Sequence, residues 1–147
     1  NVSDHDRELN ETGFSDALMM GKRLFDKSIS FDLMLTSSAT RALTTCQLIA
    51  SEIKYPLENI KVDSSIYGAG IEDIQKIICA IDSDSVESLA IFGHNPTFHI
   101  LSEKVSSQVI QKFPTCGMMY IQFDTHKWSN CFNSNVETIF FDFPKNG

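Results

Sequence analysis

Four apolar residues in a row, Leu89-Ala90-Ile91-Phe92, run directly into Gly93-His94-Asn95-Pro96. A strand with no polar side suits burial on both faces, the condition of an inner strand in a parallel sheet. Parallel strands need crossover connections, usually helices, and the rest of the chain supplies them. Phe14, Ala17, Leu18, Gly21, Leu24 and Phe25 recur at helical spacing after a cap at Asn10 or Thr12, which predicts a helix to about Lys27. Phe31 to Leu35 reads as a short buried strand. Ser37 or Ser38 then opens a helix with Ala39, Ala42, Leu43, Cys46, Ile49, Ala50 and Ile53 facing inward, ended by Tyr55-Pro56. Ile60 to Asp63 is a weaker strand. A third helix carries Ile71, Ile74, Ile78 and Ile81. A fourth starts at Asn95-Pro96, with Asn95 as N-cap and Pro96 as first helical residue. Met118 to Phe123 and Val136 to Phe143 read as an antiparallel pair at one side of the sheet. The order α, β, α, β, α, β, α, β, β implies a layered α/β domain. Such domains usually open with a strand, so the pattern leads us to expect one more strand upstream.

Composition narrows the function classes. With 147 residues, the chain fits one domain. A formal net charge of -7 argues against a nucleic-acid binder, which needs a basic face. No stretch approaches the roughly 20 apolar residues of a membrane span. Cys46, Cys79, Cys116 and Cys131 form no CxxC and no metal-ligand spacing, so reduced, mostly buried thiols in a cytoplasmic protein are expected, with no metal or other cofactor.

Two segments carry chemistry. Thr36-Ser37-Ser38-Ala39-Thr40-Arg41-Ala42 sits where a buried strand turns into a helix. The helix start offers unpaired N–H groups and partial positive charge, a ready place for phosphate. Arg41 in the first turn can grip two phosphate oxygens at once; the plainer alternative is a solvated arginine behind a serine N-cap. Ile91-Phe92-Gly93-His94-Asn95-Pro96 repeats the architecture, with His94 at the carboxyl end of a strand, where open α/β sheets place ligands. Its imidazole could bond a phosphoryl oxygen or move a proton; alternatively it caps the strand end. If the strands are parallel, Arg41 and His94 converge on one sheet edge, and an oxyanion is the simplest ligand for both.

The chain resembles a known family in three places. Asp4-His5-Asp6-Arg7-Glu8-Leu9-Asn10-Glu11-Thr12-Gly13 resembles the D-x-x-R-x-L-[TN]-x-x-G segment of SixA-type phosphohistidine phosphatases, a branch of the phosphoglycerate mutase-like histidine phosphatase superfamily. Thr36 to Ala42 resembles the S-S-P-A-x-R-A segment, and Phe92-Gly93-His94-Asn95-Pro96 resembles V-G-H-N-P. The resemblance implies a three-layer α/β/α sandwich around a mostly parallel sheet, one domain over residues 1–147, and a metal-independent hydrolase working through a phosphohistidine intermediate. The family's nucleophile lies in an R-H-[GA] motif after the first strand. His5 follows Asp4 rather than an arginine, and His99 and His126 read as incidental. The resemblance therefore places the strand and its Arg-His motif upstream of Asn1, in a leader of roughly 15 residues. It implies Arg41 and His94 as catalytic, with Arg41, His94, Asn95, Arg7 and Ser37 on the substrate and Asp4 behind them.

Larger members of the superfamily use a glutamate as general acid. The corresponding stretch here, Ser64-Ser65-Ile66-Tyr67-Gly68-Ala69-Gly70, has no carboxylate, and Glu72 and Asp73 fall at a helix start, where they complement its dipole. A departing imidazole, with a conjugate-acid pKa near ~6.5, places little demand on an acid. The expected substrate is thus protein phosphohistidine, as on a histidine-containing phosphotransfer domain. The alternatives are a small phosphomonoester, or a non-catalytic phosphate-binding adaptor.

Overall fold

The computed structural model describes residues 2–146, so the outermost residues of the expected domain, Asn1 and Gly147, lie outside the described residues. The chain forms two compact units. One holds the residues up to Tyr67 together with Ser88–Gly93; the other holds Gly68–Glu87 and the residues from His94 onward.

In the first unit, α1 (Glu11–Asp26) starts at Asn10, whose side chain accepts the Gly13 N–H at 2.7 Å. A cap of this kind stabilises a helix by about 1 kcal/mol. α1 packs on α2 (Thr40–Glu52) through Gly13, Ala17, Met20, Gly21 and Leu24, all buried. The crossing is close: a Cβ on Gly21 would lie 2.9 Å from Glu52 Cβ and 3.2 Å from Ile49 Cα. That explains why Phe14 and Phe25, expected inside, are 46% and 50% exposed. Small residues line the tight seam, and the rings are left at its margins.

β1 (Leu33–Thr36) is the middle strand of a parallel sheet, with β2 (Lys61–Val62) on one side and β3 (Leu89–Phe92) on the other. β1 and β3 pair from Leu33↔Leu89 to Thr36↔Phe92. β3 spans the residues expected. It is half-buried along its length rather than buried on both faces, since among the described residues it pairs with β1 alone. Met34 and Leu35 on β1, with Cys46, Ile49 and Ala50 on α2, supply core; each large side chain fully buried there contributes roughly 1.5–3 kcal/mol.

In the second unit, α3 (Ile71–Cys79) buries Ile74 and Ile78, and α4 (Thr97–Ser106) buries Leu101. β4 (Met118–Phe123) and β5 (Val136–Asp142) form their own antiparallel ladder, with an irregularity between Tyr120 and Ile121. Trp128 bridges to the loop after α3, its indole N–H donating to the Val86 carbonyl at 2.7 Å. No described helix is long and apolar enough to cross a membrane.

Candidate active site

The turn between β1 and α2 has no slack. The Ser37 N–H donates to the Phe92 carbonyl at 3.0 Å, which ties the end of β1 to the end of β3. Ser37 Oγ accepts the Ala39 N–H at 3.1 Å, and Ser37 is fully buried. The N-cap of α2 is therefore Ala39, not a serine, because the hydroxyl of Ser37 is spent one step earlier. Ser37 shapes the turn by accepting that N–H. Arg41 follows as the second residue of α2, half-buried.

The loop before α1 folds against this turn. Thr40 N–H donates to the His5 carbonyl at 2.9 Å. Asp4 then uses its two oxygens separately: Oδ1 meets Arg41 Nη2 at 3.2 Å, and Oδ2 accepts the Tyr67 hydroxyl at 2.8 Å. Tyr67 stands edge-on to the His5 ring, 4.9 Å between centroids at 85°. The His5 ring spans two partners, Asp6 Oδ1 at Nδ1 and Ser38 Oγ at Nε2, each at 2.9 Å. The titrations follow from the geometry. The Tyr67 hydrogen bond first, then the bond and charge of Arg41, hold the Asp4 carboxyl below the usual carboxylate range. The same bond pushes the Tyr67 phenol up, and His5 holds Asp6 down. Asp4 thus fixes one guanidinium nitrogen and leaves the other edge of that planar group to a ligand.

Arg7 is exposed in the same turn, its N–H donating to the Asp4 carbonyl at 3.3 Å. It adds the weakest of the influences lowering Asp4.

His94 belongs to the second unit, two residues beyond β3 in the chain, and its carbonyl accepts the Phe98 N–H at 3.0 Å as α4 begins. Asn95 precedes a cis bond to Pro96. Pro96, not Asn95, is the N-cap of α4. Asn95 still serves the helix start: its Oδ1 accepts the His99 N–H at 3.1 Å while its Nδ2 donates to the Phe113 carbonyl at 2.9 Å. Each end of the amide holds backbone, so Asn95 braces the segment that follows His94. His99 Nε2 bonds the Ile110 carbonyl, a structural latch. Asp73 Oδ2 accepts the Gly70 N–H at 3.0 Å, and Glu72 is exposed in the first turn of α3, as helix-start carboxylates should be.

Sequence reasoning found Arg41 and Asp4 but not Tyr67, His5 or Ser38. Tyr67 is 63 residues from Asp4, and its hydroxyl carries no sequence signal of its partner. A cleft of about 310 Å³ lined by Phe31, Asp32, Lys54 and Tyr55 opens beside the amino end of β1, and its lining includes none of these residues.

Comparison with known proteins fits this geometry. The family described as Histidine phosphatase superfamily (branch 1) matches residues 2–63, the stretch holding Asp4, His5, Ser38 and Arg41. An uncharacterised protein of Mycobacterium tuberculosis is 28% identical over 158 aligned positions, covering 98% of this chain and 93% of that protein. An uncharacterised chloroplastic protein of Arabidopsis thaliana is 27% identical over 89% of this chain, and the alignment spans 63% of that relative's length. Among solved structures, the SixA protein of Agrobacterium tumefaciens superposes with a TM-score of 0.80 at 27% identity, covering 98% of this chain and 88% of its own.

Proposed function

We propose that this chain, which belongs to the histidine phosphatase superfamily, supplies the phosphoryl-binding side of a phosphatase acting on protein phosphohistidine. The observation that carries the reading is the parallel pairing of β1 and β3, Thr36 opposite Phe92. The chain leaves the carboxyl ends of these neighbouring strands toward Arg41 in one case and His94 in the other. Asp4 presets the Arg41 guanidinium.

In this account a phosphoryl group displaces water at the start of α2. Arg41 binds two of its oxygens, His94 steadies the charge that grows on the third, and Arg7 closes from the loop. Preorganised donors of this kind usually supply more of the rate enhancement in phosphoryl transfer than any other single effect. The attacking group in this reading is an imidazole, which takes up the phosphoryl group as a phosphohistidine intermediate. The absence of a carboxylate between Ser64 and Gly70 favours a leaving group that needs little protonation, which an imidazole satisfies. The phosphohistidine-bearing partner would then be a phosphorylated protein surface.

The test is dephosphorylation of a phosphohistidine-bearing phosphotransfer protein by the full-length gene product and its Arg41→Ala variant. A loss of about 100-fold or more is expected from removing a transition-state donor. Equal rates would remove Arg41 from the mechanism. Phosphate binding without any turnover would instead favour an adaptor.

A further inference from the structure

We propose that Asp6, His5 and Ser38 form a proton relay for the departing group, an inference that rests on the phosphatase reading above. The three are bonded in series: Asp6 Oδ1 lies 2.9 Å from His5 Nδ1, and His5 Nε2 lies 2.9 Å from Ser38 Oγ. An ionised carboxylate only accepts hydrogen bonds, so Nδ1 carries a proton. That fixes the tautomer and turns Nε2 toward Ser38. When the ring is neutral, Nε2 accepts the Ser38 hydroxyl proton. When the ring is charged, Nε2–H donates to Ser38 Oγ, and the serine's own proton is released to point elsewhere. One proton on the imidazole therefore sets the direction of the serine.

The placement serves the site. Ser38 is three residues before Arg41, in the turn that opens α2. Its neighbour Ser37 is bonded to Phe92 and Ala39, and Ser38 is the hydroxyl of this turn that meets the imidazole. The His5 side chain is 37% exposed, open to solvent for reloading. Its backbone is held by Thr40 and its ring by Tyr67, which also bonds Asp4, the partner of Arg41. The relay and the guanidinium thus share one scaffold.

The step balances. As the bond from phosphorus to the leaving atom breaks, the electron pair stays on that atom and the phosphoryl group passes to the enzyme's nucleophile. The leaving atom takes the Ser38 proton, Ser38 Oγ takes the proton from His5 Nε2, and His5 becomes neutral. When water attacks the phosphoenzyme, its proton returns through Ser38 to Nε2, and the imidazolium is restored. The relay extends the substrate range toward esters whose alkoxides need a proton.

The experiment compares p-nitrophenyl phosphate, whose leaving group needs no acid, with phosphoserine, whose leaving group does. Full-length protein, His5→Gln and Ser38→Ala are assayed, with thermal unfolding as a check on folding. Both variants should lose about 100-fold in kcat/KM, which reports the steps through departure of the leaving group, on phosphoserine and less than about 5-fold on the aryl ester. Equal fractional losses on both esters, or none, would overturn the relay. Hydrolysis of phosphohistidine with neither ester turned over would keep the phosphatase reading and overturn the relay. No turnover of any of the three overturns both.

Discussion

Replacing Gly21 by alanine tests how Arg41 is held in place. The added Cβ would sit 2.9 Å from Glu52 Cβ, 3.1 Å from Glu52 Cγ and 3.2 Å from Ile49 Cα. The shortest of these is roughly 0.6 Å inside the closest comfortable carbon–carbon approach of about 3.5 Å. Glu52 Cγ could swing aside, but Glu52 Cβ and Ile49 Cα move only with α2 itself. The helices must therefore part, loosening Ala17, Met20 and Leu24 on α1, all fully or nearly buried. Overpacking of this kind costs roughly 1–3 kcal/mol. Alanine's better helix propensity returns about 1 kcal/mol. The net expectation is a loss of about 0.5–2 kcal/mol, since the obstruction includes backbone. For a chain of this size, that lowers the thermal midpoint by roughly 2–6 °C. Urea unfolding and calorimetry of the full-length protein measure it, and Gly21→Val should lose more than Gly21→Ala. A Gly21→Ala protein as stable as the parent, or more so, would refute the close crossing.

The Asp4 carboxyl should titrate below its ordinary 3.8, and Tyr67→Phe should raise it toward that value, as followed by carbon NMR. Because the folded value is the lower one, the Asp4 interactions are fully present above about pH 4 and are lost as the pH falls through the folded value. Reciprocally, the Tyr67 phenol should ionise above 10.0 by ultraviolet titration and move back down in Asp4→Asn; two unmoved curves would mean the bridge does not form in solution. Burial pushes the Cys46 thiol up to about 12, and burial with Cys79 nearby does the same to Cys131. Neither should react with a thiol reagent at pH 8 until the protein unfolds, and labelling of the folded protein at the rate of an exposed thiol would contradict that burial.

What the sequence disclosed was whatever depends on local chemistry. The apolar run Leu89–Phe92 became β3 at the residues read, and Asn10 became the cap of α1, because each signal is complete within a few residues. Phe14 and Phe25 misled because hydrophobic spacing does not reveal how closely the next helix approaches; at Gly21 that distance excludes even a methyl. Ser37 and Asn95 looked like caps, yet Ser37 bonds Ala39 ahead of the helix and Asn95 bonds His99 from one residue before the cap. At the candidate site, Arg41 was legible from its place after a strand. The Asp4–Tyr67 bond and the His5–Ser38 pair were not, since they join residues 63 and 33 positions apart.

Binding of orthovanadate, an oxyanion of phosphoryl shape, to full-length protein most directly tests whether one guanidinium and one imidazole serve a single ligand. Arg41→Ala and His94→Ala should each weaken it by about 10-fold or more, and the double variant should fall short of the product of the two losses, as for groups sharing one partner. If either single variant binds vanadate as tightly as the parent, the two side chains do not meet at a common site.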